Sequence, residues 1–269
     1  MPITTLDQVI AGSQPPQFAT KLASGTLVAG RPFAPLFLGG QPGAATAPTP
    51  GIGGAVVTSL AGQIPFTNPT GGNFTYLSRF SGASTSAGVL ILCDLLWWNS
   101  GITITATTEQ TFTSSPQIPA RDANGANLGA GVYGGLLVST ATGAGTPTAT
   151  LKYTNQAGTQ DRTATNIQAT AATTPAGTLY QFGLAAGDTG IQRAQSIQLS
   201  ATWTSGTIHA VLYRPIAVLE LATGSIPNAT DAISGGLPRL YDNSVLFPLL
   251  IPASTTSSNI SASIVYTQG

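Results

Sequence analysis

The sequence predicts an all-β protein: a β-sandwich or jelly-roll-like body over residues 54–269, preceded by an extended N-terminal arm over residues 1–53. Three observations predict it. Short segments rich in β-branched and aromatic residues recur from residue 54 onward, bounded by Gly, Pro, Asn and Ser. Helical periodicity is confined to a few short stretches. Threonine is abundant, and its β-branched side chain suits strands while its hydroxyl wets an outer face without charge.

Residues 3–12 (ITTLDQVIAG) read as a short helix. Thr4 or Thr5 is the N-cap candidate, Leu6, Val9 and Ile10 form one apolar stripe, and Gly12 is the stop. Residues 13–53 carry Pro15, Pro16, Pro32, Pro35, Pro42, Pro48 and Pro50, a density at which few regular hydrogen-bonded elements survive. Two readings stand for this stretch: a disordered leader, or an extended arm lying on this or a neighbouring subunit. Phe18, Phe33, Phe37 and a near absence of charge favour the arm, because disordered leaders are poor in aromatics and rich in charge.

Strand candidates then follow in series: GAVVTSL (54–60), FTYLSRF (74–80), GVLILCDLLWW (88–98) and ITITATT (102–108). The last alternates with period two, as expected of a strand with one wet face. The third is nearly continuous, as expected of a strand between two layers. Residues 109–147 hold turn chemistry, notably Arg121-Asp122-Ala123-Asn124-Gly125. Strands resume at 148–155, 162–170, 179–184 and 196–203. Residues 196–221 read as a hairpin turning at 204–206, with Pro215 marking an edge or a bulge in its second strand. Residues 76–98 have a similar shape, an internal echo that suggests two related hairpins in facing sheets. Residues 226–233 read as a short helix ending at Gly235-Gly236, and 259–268 as a closing strand.

Charge narrows the function classes. Lys+Arg is 9 and Asp+Glu is 9, so charged residues are 7% of the 269, against about 25% in an ordinary domain. Size scaling gives roughly 11,000 Å² of folded surface, or about one charge per 600 Å². Such a surface repels neighbours weakly and suits permanent packing against other subunits. Net charge is zero and no three basic residues run together, so the counterion-releasing stripe of a nucleic-acid binder is missing. The longest apolar stretch, Gly88 to Trp98, is interrupted by Asp94 and is too short for a membrane span. Residues 1–7 show no basic start and apolar core of a secretory signal. A particle assembled in the host cytoplasm and released by lysis reconciles an extracellular-type composition with that N-terminus.

Candidates for chemistry are few, and the expectation is a protein that is not an enzyme and holds no cofactor or metal. His209 is the only imidazole and sits in an alternating strand, with no GxSxG elbow anywhere. Asp94 and Glu220, both in apolar strands, are the one candidate carboxylate pair for glycoside hydrolysis. Arg79 and Arg214 lie in or beside strands and are placed to neutralise them, which favours structural ion pairs over catalysis. Cys93, the only cysteine, adjoins Asp94, which raises a thiol pKa, and reads as an inert core residue. Trp97 and Trp98 point to opposite strand faces and cannot form one sugar platform. One Cys and one His argue against zinc, and no DxDxDG-type cluster is present for calcium. The sequons at Asn73, Asn228 and Asn259 carry little weight without a secretory route.

Several stretches resemble virion proteins of tailed bacteriophages: ITTLDQVIAG, GQIPFTNPTGGNFTYLSRF (62–80), LCDLLWWNSGITIT (92–105), KYTNQAGTQDRTATNI (152–167), GLAAGDTGIQRAQSIQLSATWTSGTI (183–208) and LPRLYDNSVLFPLLIPASTT (237–256). The resemblance implies a component of the phage particle. The major shell protein of such phages is built around a long spine helix, which this sequence lacks. A capsid decoration (cement) protein fits better, a homo-oligomer bound to the phage major capsid protein, with no nucleic-acid or membrane partner. A tail fibre or receptor-binding subunit is the alternative.

Overall fold

The computed structural model describes residues 3–269; Met1 and Pro2, the first residues of the expected arm, lie outside them. A helix α1 (Leu6–Ala11) opens the chain. Thr5 caps it as read from the sequence: its side chain accepts from the Gln8 backbone N–H, and the Gln8 side chain accepts from the Thr5 N–H. The strands that follow are β1 (Gln17–Leu27), β2 (Gly40–Gln41), β3 (Ala55–Val56), β4 (Thr75–Ser84), β5 (Gly88–Trp98) and β6 (Gln110–Thr111). Next come β7 (Tyr133–Thr140), β8 (Ala149–Asn155), β9 (Arg162–Asn166), β10 (Leu179–Gly183) and β11 (Ile191–Leu199). The last are β12 (Thr207–Leu221), β13 (Asn228–Asp231), β14 (Arg239–Leu240), β15 (Leu246–Pro252) and β16 (Thr256–Gln268).

They form two antiparallel sheets, and the all-β sandwich expectation holds. The smaller runs β13–β4–β16–β1–β2, with β14 also on β4. The larger runs β15–β5–β12–β7–β10–β9–β8–β11–β6, with β3 also on β5. Leu77, Phe80, Ile260 and Ile264 of the small sheet pack on Leu90, Leu92, Leu219, Leu246 and Leu250 of the large one. The large sheet curls so that β8, β10 and β11 pack back on β5, β7 and β12 around Trp97, Tyr153, Tyr180 and Trp203.

Its remaining face, with Cys93, Leu95, Trp98, Val211, Tyr213 and Phe247, is covered by Ala34, Leu36, Val57 and Leu60. Of the expected arm, residues 17–27 lie on this subunit as the strand β1, paired with β16 from Gln17↔Ile264 to Leu27↔Thr256. Residues 33–60 then run mostly as irregular chain, interrupted by the two-residue strands β2 and β3, and Phe33 bridges Leu250. The prolines keep ladders in the covering segment to two residues each, yet its apolar side chains still seal a sheet face. Lys21, fully buried, donates from Nζ to the carbonyls of Pro42 (2.8 Å) and Gly43 (3.3 Å), which tie this segment to β1.

Burial on both sides explains the continuous apolar run of β5. Trp97 and Trp98 point into different core clusters and both are fully buried. Gly54, at φ +69°, lies so close to the Trp97 indole that a Cβ there would overlap it.

Other expectations change as well. Residues 196–221 are not a hairpin: β11 pairs with β8 and β6, whereas β12 pairs with β5 and β7. Likewise β4 and β5 belong to different sheets. In both echo segments the Thr/Ser/Gly stretch carries the chain away from its preceding strand, and the two long strands pair with each other. Pro215 sits beside a register shift in β12, just beyond Tyr213, where pairing with β7 ends. The absent N–H therefore leaves no ladder bond unmade. ITITATT forms no strand; the Gln110 side chain satisfies the backbone of its Thr103 at both N–H (2.7 Å) and carbonyl (3.0 Å). Residues 228–231 form strand β13 rather than a helix, and the Asp231 carboxylate accepts from the N–H groups of Ile233 and Ser234, which fixes a turn.

Candidate functional site

The residues singled out for chemistry fall into separate places. Glu220 lies opposite Val89 in the β12–β5 ladder, whereas Asp94 lies opposite Arg214. Five strand residues separate the two carboxylates, about 17 Å of strand rise. Glycosidase pairs stand about 5–10 Å apart. Glu220 is also exposed while Asp94 is fully buried.

Asp94 belongs instead to a sealed charge cluster. Arg121 Nη1 stands 3.7 Å from Oδ1 and Arg214 Nη2 stands 3.9 Å from Oδ2, both arginines being buried. The carboxylate accepts from the Ser244 hydroxyl (2.8 Å) and the Val245 N–H (2.8 Å). Burial pushes its pKa up, and the two guanidiniums pull it back down. Arg79, expected near these acids, is opposite Asp231 in the β4–β13 pair.

Arg121 was not legible as part of this cluster, because its Arg-Asp-Ala-Asn-Gly context is turn chemistry. That turn is present: Gly125 (φ +76°) donates to the Asp122 carbonyl, and the Asp122 carboxylate accepts four N–H groups, from Asn124, Ala126, Gly129 and Ala130. The turn holds Arg121 against an open stretch of β5. There β15 ends opposite Asp94 and β3 begins opposite Trp97 along the same strand edge. The guanidinium fills the gap, donating to the carbonyls of Leu95 (3.0 Å), Val57 (2.6 Å) and Asn243. An unpaired carbonyl there would be costly, so the cluster is a structural stitch.

His209 is buried against the Trp98 ring, 4.7 Å between centroids. Its Nδ1 is 2.8 Å from the Asn99 carbonyl, so Nδ1 carries the proton and Nε2 accepts from the Ser139 hydroxyl at 2.8 Å. A serine and a base meet, but a backbone carbonyl takes the place of the orienting carboxylate, and burial lowers the imidazole pKa. Cys93 is buried, and burial first, then Asp94, drives its thiol pKa well up.

The feature suited to function is a surface. Paired residues across an antiparallel ladder share a face. The outward rows of the small sheet are Thr20–Ser261–Ala83, Phe18–Ser263–Ser81–Ala229 and Val265–Arg79–Asp231. Two of the three rows are uncharged, and Phe18 is 51% exposed in the middle one. The same sheet carries α1, whose Leu6 (60%) and Ile10 (66%) face water instead of a core. At the β13 edge, Val218 is exposed in a groove of about 240 Å³ with Leu77, Phe80 and Ile216, and Ile233 protrudes from the turn beside it. Five of the chain's charged residues (Lys21, Asp94, Arg121, Asp122 and Arg214) are buried, so 13 of 18 serve 10611 Å² of surface, about one per 800 Å².

No family model matches this chain. No curated protein matches it either. Among solved structures it is similar to those of infectious bursal disease virus and its VP2 subviral particle. The Gx strain structure shares 10% identity, with 96% of this chain and 81% of that chain covered and a TM-score of 0.20. The VP2 subviral particle shares 12%, with 95% and 81% covered and a TM-score of 0.21. Overlaps this loose define no strand-to-strand correspondence.

Proposed function

We propose that this chain is a structural protein of a virion, specifically a capsid decoration protein of a tailed phage that binds adjacent subunits of the major capsid protein as a homo-oligomer. The observation that carries the reading is the outer face of the small sheet. Two of its three rows are built of Ser, Thr and Ala around Phe18, and the bare apolar stripe of α1 flanks it. A charge-poor face packs against a neighbour with little desolvation penalty. The resemblance of several sequence stretches to tailed-phage virion proteins supports the particle setting. The separation of Asp94 from Glu220 and the missing carboxylate at His209 support a role without catalysis.

The short helix, not residues 1–53 as a whole, is the free extension in this reading, because β1 belongs to the small sheet. The test uses head shells lacking the protein, mixed with wild-type chain, with Ser263→Arg, or with a chain lacking residues 1–12. Wild-type protein is expected to co-sediment with shells and to be seen on head facets by electron microscopy. Ser263→Arg is expected to lose occupancy while unfolding at an unchanged denaturant midpoint. Full occupancy by both variants, or location on the tail, overturns the proposal.

A further inference from the structure

A cavity of about 420 Å³ opens between the start of β4 and the segment after β14. Its wall includes Arg239, Phe74, Tyr241, Asn73, Asp242 and Arg121. The volume falls in the range of small-ligand sites.

Arg239 is the unusual member. Its guanidinium lies 3.7 Å over the Phe74 ring and within 5.5 Å of the Tyr76 and Tyr241 rings. Its Nε is buried with no acceptor, and among the described residues no carboxylate comes within ion-pair distance. Stacking fixes the plane of the guanidinium fork but satisfies none of its N–H donors, and buried donors normally find partners. Arg121, itself buried, leaves its own Nε unpartnered on the same wall. Arg214 stands 5.0 Å over the other neighbour, Tyr241. Two of the chain's nine cations, Arg239 and Arg121, therefore line this hollow, with Arg214 buried behind Tyr241. Of the acids nearby, Asp94 is sealed in the interior and Asp122 is engaged by its own turn, which leaves Asp242 on the rim.

We infer that this cavity binds an acidic saccharide, its carboxylate held by the Arg239 fork and its hydroxyls by Asn73 and Asp242. Arginine suits planar, bidentate capture of an oxyanion. The Phe74 ring, 37% exposed, offers an apolar surface to the sugar. Asp242 sets the orientation, since its carboxylate repels the anionic end and accepts from hydroxyls. Gly125, whose Cβ would meet the Tyr241 ring at 2.8 Å, lets the Asp122 turn brace that wall. The site goes beyond the shell-binding role and does not depend on it.

Titration calorimetry with methyl β-glucuronide, methyl β-glucoside and sodium sulfate tests the assignment. The glucuronide is expected to bind saturably, with the glucoside and sulfate each at least about tenfold weaker. Arg239→Gln is expected to weaken the glucuronide at least about tenfold, or about 1.4 kcal/mol, and Asn73→Ala by a smaller factor. Asn73 is exposed, so that variant reports on the site even if Arg239→Gln unfolds. Glucoside or sulfate binding as tightly as the glucuronide overturns the proposal. So does an absence of binding at millimolar ligand, or glucuronide affinity unchanged in both variants.

Discussion

Asp94 and Glu220 hold like positions in sequence, each an acid in a long apolar strand, and the fold treats them oppositely. Asp94 lies where β15 ends and β3 begins, under two arginines, with no exposure. Glu220 lies six residues past Arg214, near the end of β12, and reaches water. Sequence context alone made them a pair. What separates them is the register of β5 against β12 and the coverage that the irregular segments provide. An acid in an apolar strand thus becomes a buried ion or a wet edge according to what lies over it.

The largest break in this comparison is expected from Asp94→Ala. It leaves Arg121 and Arg214 as uncompensated buried charges, and urea unfolding should show a loss of about 3–5 kcal/mol. Arg121→Met removes the charged donor from three carbonyls on the open edge of β5, with an expected loss of about 2–3 kcal/mol by the same measurement. A smaller effect is expected from pH. The folded-state pKa of His209 is lowered by burial, so the unfolded chain binds the proton more readily, and stability falls as pH drops below the ordinary value of 6.5. Asp94 works in the other direction. Its raised pKa means the folded state takes up a proton first, so stability falls as pH rises from 3.8 through that raised value. Unfolding midpoints measured from pH 7 downward should therefore lose their first acid decline in His209→Gln and keep it in Asp94→Asn. Glu220→Gln, at the wet end of the comparison, should change stability by no more than about 0.5 kcal/mol.

Much of the fold was legible where local chemistry decides it. Thr5 and Gln8 close the capping box of α1, Asn124-Gly125 turns, and the β-branched and apolar runs at 88–98, 208–221 and 259–268 are strands. What stayed hidden depends on distant partners. β1 and β15 contain or adjoin prolines, and their ladders are set by β16 and β5, far along the chain. ITITATT has the pattern of a strand but finds no ladder partner, and its Thr103 backbone bonds the Gln110 side chain instead. The two supposed hairpins failed because a Thr/Ser/Gly turn signals a reversal, not which sheet receives the returning chain. At the cluster, Asp94 and Arg214 could be suspected from their burial in strands, whereas Arg121 sat in a turn and gave no signal. Arg239 likewise follows a proline, in the two-residue strand β14, and only the fold brings Phe74 and Tyr241 to it.

The pairing of β1 with β16 has a consequence for the order of events during folding. Residues 256–268 lie in the middle of the small sheet, between β4 and β1. Until that segment has emerged from the ribosome, β1 and β4 each lack their main partner, and the apolar side of the sheet waits uncovered. Closing a loop of some 240 residues is entropically slow to achieve, and pairings this non-local fold in milliseconds to seconds. A nascent chain of this protein is therefore expected to hold its large sheet before its small one, and to be vulnerable to proteases at residues 17–27 until synthesis has passed residue 268.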